Sequence, residues 1–176
     1  MNRPHDYITA LEQDSVEMKT AELLSGVDGA FLFKFYTAEE FKTFTIYLSE
    51  YRRGELISKE PAGEFIFDTT GTMPEGMIAL VPDFEESRIK LIVTHDAIKY
   101  SAAIPILEDE ENQNAFGRSA VGIDEDTPIR YGEEQGLIAF IYGRDQMRVT
   151  SVQQLEEGDA ATENEYIYYF SVEFSR

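Results

Sequence analysis

The chain has 176 residues, enough for one sizeable core, and its 34 acidic against 15 basic residues leave a formal net charge of −19. An excess of that size repels phosphate backbones and anionic lipid headgroups, so nucleic acid is not an expected partner. The absence of Cys excludes a disulfide framework, thiolate metal sites and a Cys nucleophile, while ten Tyr and twelve Phe lean toward sheet.

Residues 4–26, PHDYITALEQDSVEMKTAELLSG, place Ile8, Leu11, Ser15, Met18 and Glu22 at spacings of three and four. That rhythm predicts one or two short helices, with Gly26 as the stop. Residues 1–26 therefore read as an N-terminal helical segment and 27–176 as a single β-rich domain. From Val27 onward the period shortens to two. Phe31, Phe33 and Phe35 share one face of AFLFKFYT, with Lys34 and Tyr36 on the other. In the next run Phe44, Ile46 and Leu48 oppose Thr43, Thr45, Tyr47, Ser49 and Tyr51, the pattern of a strand with one buried and one polar face.

Arg52-Arg53-Gly54 then predicts a hairpin turn. A three-residue loop with Gly54 in the left-handed position fits, as does a four-residue loop that sets Leu48 opposite Ile57. In either register both guanidiniums point into water at a loop tip. The functional alternative is that Arg52 and Arg53 engage an acidic partner.

GEFIFDT, GMIALVP, SRIKLIVT and IKYSAAIPI continue the strand runs. His95-Asp96 sits at the corner between the last two, where turn chemistry is the ordinary reading and a His–carboxylate base the sharper one. Residues 107–134 break the alternation with an acidic, Asn- and Gly-containing connection. Within it, Ser119 in GRSAVG lacks the nucleophile-elbow spacing, because the second Gly comes one residue too late. Asp124 and Asp126 are weak calcium candidates, since Ile129 stands where an EF-hand loop needs Gly. GLIAFIYG, residues 136–143, is apolar on both faces and predicts a central strand. After a second acidic connection, QQLEEGDAATEN, the last run puts Tyr166, Tyr168, Phe170, Val172 and Phe174 on one side and Ile167 and Tyr169 on the other.

The expected fold is mainly β within an α+β class: an antiparallel sandwich or strongly bent sheet of nine or ten strands, with one or two short N-terminal helices. No Gly-rich phosphate loop and no G-x-G-x-x-G is present, so no cofactor is implied. No stretch approaches the about 18 apolar residues of a membrane span, and the opening residues lack the apolar core of a signal peptide. The function expected is a non-catalytic binding module for a protein or carbohydrate ligand, with Tyr47, Tyr51, Arg52, Arg53 and Tyr169 as candidate contacts. Its expected setting is a bacterial surface or membrane-anchored protein sampled without its leader or anchor; a cytoplasmic location is the alternative. Two rival functions remain: a glycoside-directed hydrolase with carboxylates from distant strands, and an acidic adaptor or immunity-type protein that neutralises a basic partner.

Overall fold

The computed structural model describes residues 6–25, 29–38, 41–66, 75–95, 98–111 and 115–176. Over these described residues the chain is mainly β, with two antiparallel sheets and two helices, and the chain divides into two compact units. The first comprises Met1–Glu40, Thr70–Gln113 and Asp124–Ile129; the second comprises Phe41–Thr69, Asn114–Ile123 and Arg130–Arg176.

The first unit holds strands β1 (Tyr7–Ala10), β2 (Phe31–Tyr36), β5 (Glu75–Asp83), β6 (Arg88–His95), β7 (Ile98–Pro105) and β9 (Thr127–Pro128), and helix α1 (Val16–Ser25). They form one sheet in the order β7-β6-β5-β2-β1-β9. Antiparallel registration aligns Phe33 with Ile78 and Ile78 with Val93, so Phe33, Ile78, Leu80, Leu91 and Val93 fall on one buried face. On the opposite face α1 packs Met18 against Leu32, flanked by Met77, Ala79 and Val81. Ser15 caps the helix, its hydroxyl accepting from the Met18 amide at 3.2 Å.

The helical expectation for residues 4–26 needs correction over its first half. Tyr7–Ala10 is a strand paired with β2, and the helix begins only at Val16. Tyr7, Ile8 and Thr9 are aromatic or β-branched, and pairing with β2 satisfies their backbone groups, which outweighs a weak helical period.

Gly76 of β5 is fixed by a close approach. A Cβ there would lie 2.2 Å from Cζ of Phe35, whose ring is fully buried and stacked on His95 with centroids 5.7 Å apart. Gly76→Ala is expected to destabilise the protein by about 1–2 kcal/mol, read as a lowered urea midpoint with unchanged slope.

The second unit contains β3 (Thr43–Arg52), β4 (Glu55–Ile66), β8 (Gly117–Gly122), β10 (Glu134–Gly143) and β11 (Tyr166–Ser175), in the order β4-β3-β11-β10-β8, with helix α2 (Val152–Glu156). One face carries Phe44, Ile46, Phe140, Phe170, Val172 and Phe174, all buried, with the Phe44 and Phe174 rings stacked 4.7 Å apart. β10 is buried on both faces, as its apolar run predicts, because α2 covers the second one.

Two further expectations change here. Residues 107–134 are not a plain connection: they supply edge strand β8, paired with β10, and the two-residue strand β9, paired with β1. β8 left no alternating signature because its first four residues are exposed and neither face demands apolar side chains. The turn after β3 has two residues. Arg52 pairs with Glu55, and Arg53 and Gly54 take φ of 49° and 84°, the geometry of a type I′ hairpin whose twist matches the strands.

Candidate functional site

The face of the second sheet opposite its aromatic core carries an unusual density of polar groups. β3 contributes Tyr47, Ser49 and Tyr51, and β11 contributes Tyr169 and Ser171 in register with them: Ser49 faces Tyr169 and Tyr47 faces Ser171. Helix α2 roofs part of this face. Its start is fixed by a capping box in which the Ser151 hydroxyl accepts from the Gln154 amide and the Gln154 side chain accepts from Ser151. Leu155 then packs with Ala139, Ile141, Ala160, Ile167 and Tyr169.

Beside that roof lies a cavity of about 370 Å³. Its polar lining is Ser49, Tyr51, Lys59, Glu134, Glu156 and Tyr169, and its apolar walls are Leu56 and Leu155. Two backbone irregularities assemble it. Leu56 and Lys59 are three apart and would face opposite sides of a regular strand. Tyr51 pairs with Leu56 and Glu50 with Ser58, so Ile57 is an extra bulged residue that turns both onto the cavity side. A second bulge, at Leu137 of β10, follows Gly136, whose bare backbone lets Tyr169 and α2 close over it.

The charges are arranged in sequence across the cavity. Lys59 forms an ion pair with Glu134, and its ammonium lies 5.0 Å from the centroid of the Tyr47 ring. The other Glu134 oxygen accepts from the Ser171 hydroxyl at 2.5 Å. Glu156 accepts the Gly136 amide through Oε1 at 2.7 Å. Tyr169 is buried, and burial, reinforced by Glu156, Glu134 and Tyr51, pushes its phenol well above the ordinary value. Tyr51 is raised too, by burial first, with Lys59 opposing and Glu134 adding. Both phenols are therefore neutral hydrogen-bonding groups near pH 7, not nucleophiles or bases.

Of the candidates read from the sequence, Tyr51 and Tyr169 line this cavity, and Tyr47 reaches it through Lys59. Arg52 and Arg53 do not line it. The Arg52 guanidinium lies 5.3 Å from the Tyr166 ring centroid, and Arg53 sits 3.5 Å from Glu165. Arg53 is exposed at the turn, as expected, while also lying beside Glu165; Arg52 is half-buried, its guanidinium drawn over the Tyr166 ring. His95 is buried at the end of β6, and its neighbour Asp96 lies outside the described residues, as does His5. Ser119 is exposed on β8 opposite Ile141. Asp124 and Asp126 fall between β8 and β9, and no group of three or more His, Asp or Glu among the described residues is placed to hold a metal.

Sequence reasoning missed Lys59 and Glu156, and it placed Glu134 only among the acidic runs that could ligate calcium. Only Glu156 carried a local signal, since Ser151 and Gln154 have capping-box spacing just before it. Lys59 and Glu134 are 75 positions apart and meet only in the folded sheet. Among the described residues no helix is long and apolar enough to cross a membrane. Comparison with protein-family models, curated proteins and solved structures gave no match.

Proposed function

We propose that the protein is a non-catalytic binding module and that the Tyr51–Tyr169 cavity receives a small polar group of its ligand. The observation that carries this reading is the convergence of two neutral phenols, two carboxylates and an ammonium on one concave site with apolar walls. Such groups orient a ligand by hydrogen bonds while the walls exclude water from its apolar part.

The glycoside-hydrolase reading draws on one specific observation, the presence of Glu134 and Glu156 in the same cavity. Their partners favour binding over hydrolysis. A general acid must carry a proton to its substrate, yet Glu134 is held as an acceptor by Lys59 and Ser171, and Glu156 by the Gly136 amide.

The test pairs two assays on the same protein. Titration with small polar compounds is expected to move the NMR signals of Tyr51 and Tyr169 saturably. Incubation with chromogenic glycosides is expected to release no aglycone above the buffer rate. Turnover that disappears in Glu134→Gln would replace the binding reading with the hydrolytic one.

A further inference from the structure

We propose that the cavity takes a primary alkylammonium group, with Glu156 as its counter-ion and the Tyr51 and Tyr169 hydroxyls as acceptors. The inference rests on the binding reading above and names the ligand chemistry of that same site.

The local charge comes first. Lys59 neutralises Glu134 by direct pairing, so the two cancel and Glu156 leaves one uncompensated negative charge facing the cavity. Glu156 spends Oε1 on the Gly136 amide, and among the described residues Oε2 has no hydrogen-bond partner. Tyr169 is only 5% exposed, and its hydroxyl likewise has no hydrogen-bond partner among the described residues. Glu156 is exposed to solvent and the Tyr169 ring is buried beneath it, so the cavity offers a carboxylate oxygen and phenol oxygens to a donating ligand that enters from water. An ammonium offers three donors and one positive charge, which matches a carboxylate oxygen and two phenol oxygens. A neutral polyol would gain no Coulombic attraction from the Glu156 charge, and an anion would be repelled by it.

The same face already holds such a group. The Lys59 ammonium is bound by a carboxylate and the face of Tyr47, which shows that the lining suits a cation on an alkyl stem. Leu56 and Leu155 supply the apolar wall along which methylenes of an entering amine would lie. The chain's net charge of −19 further raises the local concentration of cations over anions.

The test is titration of the whole protein at low ionic strength with n-butylammonium, Nα-acetyl-lysine methylamide, its Nε-acetylated neutral analogue and methyl glucoside. Saturable binding of the two amines at Tyr51 and Tyr169 is expected, weakening as salt is raised. Glu156→Gln keeps an acceptor for the Gly136 amide but removes the charge, and it should weaken amine binding at least about tenfold. Lys59→Gln frees Glu134 and should tighten it by about the same factor, so the two variants move in opposite directions and simple misfolding cannot imitate the pair. Tighter binding of the lysine derivative than of butylammonium assigns the amine to a protein side chain; equal binding assigns it to a free amine. Equal affinity for the neutral analogue or the glucoside would overturn the ammonium assignment while leaving the binding site standing. Failure of every compound to move the cavity signals would remove both.

Discussion

Glu165→Ala is expected to cost the protein about 2–3 kcal/mol of stability at pH 7, and that cost is expected to vanish in acid. Glu165 follows the second acidic connection and is 7% exposed. Its carboxylate accepts the Arg144 amide at 2.9 Å and the Arg144 guanidinium at 3.2 and 3.0 Å, with the Arg53 guanidinium 3.5 Å away. Burial alone would raise its pKa, but the Arg144 bonds, with the Arg144 and Arg53 charges, outweigh it and hold the carboxyl below its ordinary value. A depressed folded-state pKa means that the unfolded chain takes up the proton first as pH falls. The stabilisation is therefore complete above the unfolded carboxylate range, near pH 4.3, and is lost as pH drops through the folded value. Urea unfolding of wild type and variant across pH 2–8 checks this. A gap between them that stayed constant into acid would show that Glu165 acts by packing and not by charge.

The same carboxylate explains why an arginine sits at a left-handed turn position. A side chain at φ of 49° costs about 1–2 kcal/mol relative to glycine. Arg53 offsets that strain by donating its amide to the Glu165 carbonyl at 3.1 Å and placing its guanidinium by the Glu165 side chain. The arginine pair is thus tied to the turn that holds β3 and β4 in register.

Gly136→Ala is the second large effect, and it joins fold to site. A Cβ there would fall 2.3 Å from Cγ1 of Val152 and 2.5 Å from the Tyr169 hydroxyl. Both distances are well inside contact, and both neighbours are buried. Either α2 lifts from the sheet or the Tyr169 ring leaves the cavity, so the loss is about 2–3 kcal/mol and ligand binding falls with it. The Glu156 bond to the Gly136 amide would break in the same motion. Denaturation together with the NMR signals of Tyr169 separates the outcomes. An unchanged melting temperature with undisturbed Tyr169 signals would show that α2 does not rest on Gly136 as described.

Much of the second sheet is legible in the amino-acid sequence. Phe44, Ile46, Phe170, Val172 and Phe174 alternate strictly, and all are buried, because a period of two projects every second side chain to one side of a pleat. The polar face of β3 is legible for the same reason. Ser49 on that face is nonetheless buried, because α2 and the segment after it lie nearby across strands that are distant in the chain. β8 and β1 are not legible. One has no buried face over most of its length, and the other is short enough that a few apolar residues fit two periods.

Local alternation by itself determined the strand-rich class and the inward-facing residues of most strands, because side-chain direction follows directly from backbone geometry. The cavity was decided only by tertiary structure. A bulge at Ile57 turned Leu56 and Lys59 to one side, a bare glycine admitted α2, and strand pairing carried Glu134 to Lys59. Each of those depends on what lies across a neighbouring strand, and nothing within a few residues along the chain encodes it.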